Sequence, residues 1–205
     1  MKSQALQQLI QSFSRFPGLG PRSGRRLALY LLKHRHQVLD PLIEVLSQVR
    51  DRVTTCTICG CLGEEDPCTI CTDPKRDLTT LCVVADMADV WALERAGCYQ
   101  GAYHILGGTL SGLQGVGPEN LALEPLLTRC GTGTITEIIF ALSATVEGQT
   151  TVHYVMHQLK KFPDLKLSTL ARGIPLGGEL DYLDEGTLAT ALETRRFTET
   201  ASLAG

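Results

Sequence analysis

The sequence predicts an α/β protein in which a mostly parallel sheet follows a small helical unit. From residue 81 onward, short apolar runs alternate with segments of helical spacing, which is typical of β-α units. Before residue 53, apolar residues recur at helical spacing. With 43% hydrophobic and 20% charged residues, the 205-residue chain can form a buried core, which excludes a disordered protein.

Three amphipathic helices are predicted at the start of the chain. Apolar residues at helical spacing mark the first over residues 3–16. The sequence PGLGP at residues 17–21 ends this pattern, because neither a helix nor a strand continues through it. The second helix fits about residues 22–36, and the third opens at Asp40. Residues 1–53 therefore form the first predicted domain.

Charge is distributed unevenly along the chain, whose formal net charge is −3. Residues 1–52 contain nine Lys and Arg against three Asp and Glu, whereas the rest of the chain contains ten against 19. A basic end on an acidic body indicates that only the front of the chain meets a polyanion such as a nucleic acid. The alternative is a solvated helical face without a ligand.

A largely parallel sheet is predicted after a cysteine-rich segment. Apolar runs typical of buried strands alternate there with segments of helical spacing, the order found when helices connect parallel strands. A Gly-rich stretch at residues 107–118 is predicted as a loop at one edge of the sheet. The predicted strands are 81–84, 103–106, 138–142 and 165–170, and the predicted helices are 86–96 and 147–162.

Five of the eight cysteines fall between residues 56 and 71. Two CxxC pairs there are separated by eight residues, and two such turns can direct four sulfurs at one tetrahedral zinc ion. Zinc binding would supply the folding energy that this polar segment lacks. A redox CxxC and an iron–sulfur cluster are the alternatives, and Cys61 could replace Cys59. The predicted ligands of one structural Zn²⁺ per chain are Cys56, Cys59, Cys68 and Cys71. Cys82, Cys98 and Cys130 are predicted to be small core residues.

The turn between the first two helices is a candidate phosphate site. Gly18 and Gly20 let the backbone approach a ligand closely, and the amides that open the next helix carry a positive partial charge. Arg22, Arg25 and Arg26 follow at once and could pair with neighbouring phosphates. Such contacts hold a nucleic-acid backbone without reading its sequence. The alternative is an ordinary tight turn with surface arginines.

Three motifs in one order resemble the RecR family, the bacterial recombination mediators that work with RecF and RecO. They are FPGLGPRSGRRLA at residues 16–28, the CxxC-x8-CxxC cluster, and ATVEGQTTVHY at 144–154 followed by GIPLGGELDYLDEGTL at 173–188. The resemblance implies that the family's basic DNA contacts fall on Arg22 and Arg26. It also implies that the family's zinc ligands fall on Cys56, Cys59, Cys68 and Cys71.

The resemblance further implies a domain order, an assembly and a role. The implied domains are a helix-hairpin-helix DNA-binding domain (1–53), a four-cysteine zinc finger (54–77), a Toprim domain (78–172) and a C-terminal segment with a Walker-B-like motif (173–205). The implied assembly is a ring-shaped tetramer that encircles or clamps DNA. Its implied role is recombinational repair of damaged DNA, in which it loads recombinase at gaps with RecO-like and RecF-like partners. The sequence leaves open a dimer or a tetramer in solution, and the preferred form of DNA.

The sequence departs from catalytic Toprim domains, which place a Glu after the first strand and an Asp-x-Asp pair after a later one. These positions are Ala85 and Ser143-Ala144-Thr145 here, and the family's EGEAT reads Glu147-Gly148-Gln149-Thr150-Thr151. A divalent cation would meet too few carboxylate oxygens there. Asp86 could replace the missing Glu only beyond the strand end, because neighbouring residues of a strand point to opposite faces. The same changes leave partner binding by this domain open.

The favoured function is a non-enzymatic DNA-binding clamp and adaptor. The alternative is a Toprim-type, metal-dependent nucleic-acid enzyme resembling a primase or a nuclease. An ATPase is excluded because no lysine follows a glycine, as a P-loop requires. Four acids near the C-terminus are therefore predicted as interface or solvated groups: Glu179, Asp181, Asp184 and Glu185.

The sequence shows no sign of membrane insertion or export. No stretch approaches the ~18 uncharged apolar residues that a membrane span needs. Residues 1–15 lack the apolar run of a secretory signal. The protein is therefore expected in the cytoplasm, associated with the nucleoid, and without a membrane partner.

Overall fold

The computed structural model describes residues 3–195. Contacts among them define two compact units, which are residues 3–55 with 62–68 and residues 56–61 with 69–195. Lys2, which contributes to the basic count of the N-terminal segment, lies outside the described residues, as do residues 196–205 at the end of the predicted C-terminal segment. None of the described helices is both long and apolar enough to cross a membrane.

Three α-helices build most of the first unit, close to the positions that the apolar spacing predicts. They are α1 (Gln4–Phe13), α2 (Pro21–Lys33) and α3 (Asp40–Arg52). α2 ends before the predicted residue 36 because His34 leaves the helical conformation, and one π-helical turn, Arg35–Leu39, leads into α3. Two short antiparallel strands complete the unit, β1 (Thr54–Thr55) and β2 (Leu62–Gly63).

The close packing of α1 against α2 requires a glycine at position 24. A Cβ there would lie 2.7 Å from the hydroxyl oxygen of Ser14 and 3.1 Å from the carbonyl oxygen of Ile10. Ala28, one turn farther along α2, is fully buried. α1 ends before the predicted residue 16 because the amide of Phe16 already donates to the carbonyl of Phe13 in a tighter turn, at 3.2 Å. These contacts set the geometry of the hairpin between the two helices.

A four-stranded parallel sheet forms the centre of the second unit and confirms the predicted fold class. The strand order is β4-β3-β5-β6, and every neighbouring pair is parallel. The strands are β3 (Asp77–Val84), β4 (Gly101–Ile105), β5 (Glu137–Ala141) and β6 (Lys166–Thr169). The α-helices are α4 (Thr69–Thr72), α5 (Met87–Ala96), α6 (Leu123–Gly131), α7 (Val146–Leu159) and α8 (Glu185–Glu193), and two 3₁₀ turns cover Pro118–Asn120 and Leu180–Tyr182.

The core of the second unit lies on both sides of β3. Leu81 and Val83 join β5, α6 and α7 in one apolar cluster, in which Phe140 and Leu126 are almost completely buried. Val84, whose side chain alternates to the other face, is also fully buried. Burial on both faces is typical of parallel sheets. It explains why these strands read as continuous apolar runs rather than alternating patterns.

Several features of this unit differ from what the sequence predicts. The helices α4, α6 and α8 are not predicted, although four residues of α6 recur at helical spacing and are buried: Leu123, Leu126, Leu127 and Cys130. The prediction that Cys98 belongs to the core is wrong, because Cys98 is exposed. It follows Gly97, which ends α5 in a left-handed conformation and turns the chain away from the helix. Cys82 and Cys130 are buried, as predicted.

The Gly-rich stretch 107–118 lies at the carboxyl end of β4. Its first amide, that of Gly107, donates to the carbonyl of Ala85 at 3.0 Å, directly after β3. Ser111 and Val116 exchange two backbone hydrogen bonds of 3.0 and 2.9 Å. The buried hydroxyl of Thr151 on α7 accepts from the amide of Leu110 at 2.8 Å. Hydrogen bonds to two neighbouring elements therefore hold this irregular segment in place.

Candidate metal centre and nucleic-acid interface

The two CxxC pairs bring four sulfur atoms together. The Sγ atoms of Cys56, Cys59, Cys68 and Cys71 all lie within 4.8 Å of one another. The first three residues are buried and Cys71 is partly buried. The competing assignment of Cys61 is not supported, since Cys61 is not a member of this group. Four converging sulfurs can bind one metal ion.

Local hydrogen bonds shape the first CxxC turn, residues 56–61. The amide of Gly60 donates to the carbonyl of Cys56 at 2.9 Å, and the amide of Cys56 donates to the carbonyl of Cys61 at 2.8 Å. Gly60 has a φ of 82°, which a side chain would strain. The amide of Cys61 donates to the sulfur of Cys59 at 3.4 Å. In the second turn, the short helix α4 begins directly after Cys68 and contains Cys71.

The donor set fits zinc. Thiolate sulfur is a preferred zinc ligand, and four protein sulfurs complete a tetrahedral site. Such a site has no open position for a substrate or an activated water molecule. The ion's role is therefore structural, and its binding contributes to folding.

The hairpin between α1 and α2 leaves backbone donors exposed. Gly18 has a φ of 76°, and neither Gly18 nor Gly20 has atoms within 4 Å of where a side chain would begin. Pro21 begins α2, and within residues 3–195 the amides of Arg22 and Ser23 have no acceptor. These N–H groups are the ones that a helix N-terminus offers to an anion.

The arginines predicted beside the hairpin are exposed. Arg25 and Arg26 lie three and four residues after Arg22 on α2, so all three share one side of the helix. None of them forms an ion pair within the described residues, and α2 has no acid in its first turn. The charge of the three guanidinium groups is thus uncompensated locally. The structure brings the predicted hairpin glycines and arginines together at one end of α2.

The carboxyl edge of the sheet holds no carboxylate at the catalytic Toprim positions. Ala85 follows β3 directly, and Ser143-Ala144-Thr145 follows β5. Asp86 lies beyond the strand end, and its Oδ1 caps α5 by accepting from the amides of Ala88 and Asp89 at 2.7 and 3.4 Å. The carboxylate of Asp89 in turn accepts from the amides of Ala85 and Asp86 at 3.1 and 3.2 Å. Both nearby acids are thus used in a capping box.

The polar groups after β5 also bond to one another. The hydroxyls of Ser143 and Thr145 lie 3.0 Å apart, and Thr145 caps α7 by accepting from the amide of Gly148 at 3.2 Å. The amide side chain of Gln149 accepts a hydrogen bond from Arg172. In residues 3–195, no group of three or more metal-ligating side chains is present apart from the four cysteines.

The acids near the C-terminus are exposed, as predicted. Glu179, Asp181, Asp184 and Glu185 all lie at the surface. Asp184 caps α8, since its carboxylate accepts from the amide of Thr187 at 2.9 Å and from its hydroxyl at 2.6 Å. Hydrogen bonds from Thr187 keep the pKa of Asp184 below its usual value. No metal-ligand group forms from these acids in the described chain.

Two residues to which the sequence assigns no role, His104 and Arg129, form hydrogen bonds around β4. His104 on β4 is almost fully buried, and its Nε2 lies 2.7 Å from the carbonyl oxygen of Ala122. Burial lowers the pKa of His104 to about 4, so the ring is neutral near pH 7 and donates this hydrogen bond from Nε2. Arg129 on α6 donates from Nη1 to the carbonyl of Tyr103 at 2.7 Å and to that of Ile58 at 3.4 Å. Neither residue lies in a motif, so only the tertiary structure reveals these contacts.

Family models match nearly the whole chain in four consecutive segments. Residues 6–50 match the RecR helix-hairpin-helix, and residues 53–73 match the RecR zinc finger domain with four cysteine ligands. Residues 79–171 match the Toprim domain, and residues 173–196 match the C-terminal region of RecR. The zinc-finger match covers the four cysteines whose sulfurs converge, which identifies the expected ion as zinc.

Curated relatives named Recombination protein RecR are similar along almost their full length. The protein from Sphingopyxis alaskensis is 50% identical over 196 residues, which cover 96% of this chain and 98% of that protein. The one from Mesorhizobium japonicum is 54% identical over 190 residues, covering 93% and 94%. The one from Rhodospirillum rubrum is 53% identical over 196 residues, covering 96% and 99%.

Proposed function

The chain belongs to the RecR family of recombination proteins, and on that premise we propose that it is a non-enzymatic, DNA-binding clamp and adaptor in recombinational DNA repair. The observation that carries this proposal is the hairpin end of α2. Unpaired backbone amides and three exposed arginines lie together there. Phosphate oxygens would satisfy both kinds of group at once.

Binding at the hairpin would be independent of DNA sequence. The proposed contacts are Gly18, Gly20, Arg22, Arg25 and Arg26. All of them would reach the phosphate backbone, and phosphate contacts carry no sequence information directly. Contacts of this kind depend strongly on salt, because each one releases counterions from the DNA.

The absence of catalysis is proposed from the carboxyl edge of the sheet. Phosphoryl-transfer chemistry of the Toprim kind needs carboxylates to hold a divalent cation. Alanine, serine and threonine occupy the corresponding positions here, and Asp86 and Asp89 are engaged in capping. A Toprim-type enzyme is therefore the less favoured function.

Self-association is proposed from the exposed apolar face of α3. This helix has no buried residue. Four of its apolar residues are at least half exposed: Ile43 (56%), Val45 (53%), Leu46 (58%) and Val49 (50%). A second copy of the chain would cover this face and remove the apolar surface from water. In a ring-shaped tetramer, several weak phosphate contacts would act together, because binding by one subunit raises the effective concentration of the others.

The proposed cellular role follows from family membership. The assembly would bind gapped DNA, meet RecO-like and RecF-like proteins, and help them to load recombinase at the gap. It would work in the cytoplasm, associated with the nucleoid, because its ligand is chromosomal DNA. The exposed C-terminal acids are a surface available to such partners.

A substitution on α3 tests the proposed assembly. We expect Leu46→Asp to give a smaller particle than the unmodified chain, because a carboxylate in an apolar interface loses its hydration without gaining a partner. Sedimentation or light scattering of the purified protein measures the mass. Gln48→Asp, which is exposed on the opposite side of the same helix from Leu46, is the matched control and should leave the mass unchanged. An unchanged mass for Leu46→Asp would show that α3 is not the interface.

The proposed function is tested by DNA binding and DNA integrity in one experiment. We expect labelled gapped, single-stranded and duplex DNA to be bound at low salt and released as salt rises. We also expect the same DNA to stay intact after incubation with Mg²⁺ or Mn²⁺ and nucleotides. Cleavage, joining or copying of the DNA would contradict the proposal. So would failure of the fully assembled protein to bind any of the three forms.

A further inference from the structure

One edge of the parallel sheet is formed by β4, and at each of its three outward-facing residues one backbone group has a partner. Even-numbered residues bond toward β3, as the amide of Leu106 does to the carbonyl of Val84 at 2.9 Å. Odd-numbered residues therefore face outward. The carbonyl of Gly101 accepts from Nη1 of Arg76 at 3.0 Å, and that of Tyr103 accepts from Nη1 of Arg129 at 2.7 Å. Two guanidinium groups thus cover two positions of this edge.

The third outward position is covered by the metal-binding turn itself. The amide of Ile105 donates to the carbonyl of Cys59 at 2.8 Å. Gly60 fits closely against the same residue, since a Cβ at position 60 would lie 3.2 Å from Cβ and 3.4 Å from the carbonyl oxygen of Ile105. Arg129 bonds the turn to the strand a second time by bridging the carbonyls of Ile58 and Tyr103. Residues 56–61 are therefore attached to the strand that ends the sheet.

The contact between the turn and the strand depends on the shape of the turn. Residues 56–61 are too few to build an apolar core of their own, and two short backbone hydrogen bonds hold them in shape. Metal ligation by Cys56 and Cys59 fixes both ends of the segment that carries the Cys59 carbonyl. A polar segment of this kind folds largely through the binding energy of its metal.

From this juxtaposition we infer that the cysteine-bound ion closes the edge of the sheet. By fixing residues 56–61 it keeps the Cys59 carbonyl on the Ile105 amide, so β4 is not available to pair with a strand of another molecule. Unpaired edge strands promote such pairing, and proteins cover them for that reason. Zinc binding and protection of the edge are then thermodynamically coupled. Zinc binding stabilises the covered edge by a given factor, and covering of the edge raises the zinc affinity by the same factor.

The Gly60→Val variant of the full-length, zinc-loaded protein tests this coupling without changing any cysteine. The new side chain would crowd Ile105, and it strains a backbone with a φ of 82°. We expect the Ile105 amide to exchange its hydrogen about tenfold faster, which is a common size for coupling between two sites. Zinc affinity, measured by competition with a chromogenic chelator, should fall by the same factor. Amides in the middle of β5 should keep their exchange rates.

The matched control is Gly115→Val. Gly115 also has a positive φ, 67°, but nothing lies within 4 Å of where its side chain would begin. This variant carries the backbone strain without touching β4, so Ile105 exchange and zinc affinity should match those of the unmodified protein. The inference is overturned if Gly60→Val leaves both quantities unchanged. It is also overturned if Gly115→Val changes them as much, or if Ile105 loses protection while zinc affinity stays the same.

Discussion

The Cys68→Ser variant is expected to be insoluble or poorly folded. Cys68 is buried, and its sulfur is one of the four that converge. With three thiolates left, the site binds zinc much more weakly. Structural zinc contributes about 10–16 kcal/mol in zinc-finger peptides, whereas a whole domain is stable by about 5–15 kcal/mol. Loss of even part of the zinc-binding energy is therefore enough to unfold the segment that depends on it.

The measurements are the soluble yield, the circular dichroism spectrum and the zinc content per chain. Cys98→Ser is the matched control, because Cys98 is exposed and lies outside the sulfur group. It should yield a folded protein with one zinc ion per chain. A Cys68→Ser protein that is well folded and free of zinc would refute the metal assignment.

Replacement of both Arg22 and Arg26 by alanine is expected to weaken DNA binding and to flatten its dependence on salt. Both side chains are exposed and unpaired within the described residues, so the double variant removes two phosphate contacts per subunit with little effect on folding. Each lost contact lowers the slope of log affinity against log salt by about 0.9 for duplex DNA and about 0.7 for single strands. The slope should therefore fall by about 1.4 to 1.8 for each engaged subunit.

Fluorescence anisotropy with labelled DNA over a series of salt concentrations measures both effects. Lys160→Ala with Lys161→Ala is the matched control, because it removes the same charge from two exposed residues that follow α7, away from both α2 and α3 in the sequence. The control should bind DNA with nearly the original slope. Equal affinities and slopes for the two double variants would show that DNA binds elsewhere.

The sequence predicts the fold well where a pattern is local. The parallel strands and the N-terminal helices are predicted because the apolar spacing of one segment is enough to identify each of them. The four cysteines are found for the same reason, since the spacing of the CxxC pairs reflects the geometry of the site. α6 is missed although its spacing is helical, because the Gly-rich stretch before it favours loop structure. Cys98 is misplaced because apolar neighbours in sequence do not ensure burial.

Contacts between distant segments could not be predicted in this way. The bond from Ile105 to Cys59 and the bridge from Arg129 to Ile58 join segments that are far apart in the chain. Asp86 shows the same limit within a short segment. Its type and position suit a metal ligand, and only the path of the backbone shows that its carboxylate caps α5 instead. The sequence identifies the candidate groups, and the fold determines which of them are free to bind.

The strand order has a consequence for how the chain acquires its structure during synthesis. β3 is made first among the four parallel strands, β4 then adds to one side of it, β5 to the other, and β6 to β5. Every new strand thus meets a neighbour that has already left the ribosome. Parallel pairing is slow because it joins distant segments, but this order lets it proceed outward from the centre while translation continues.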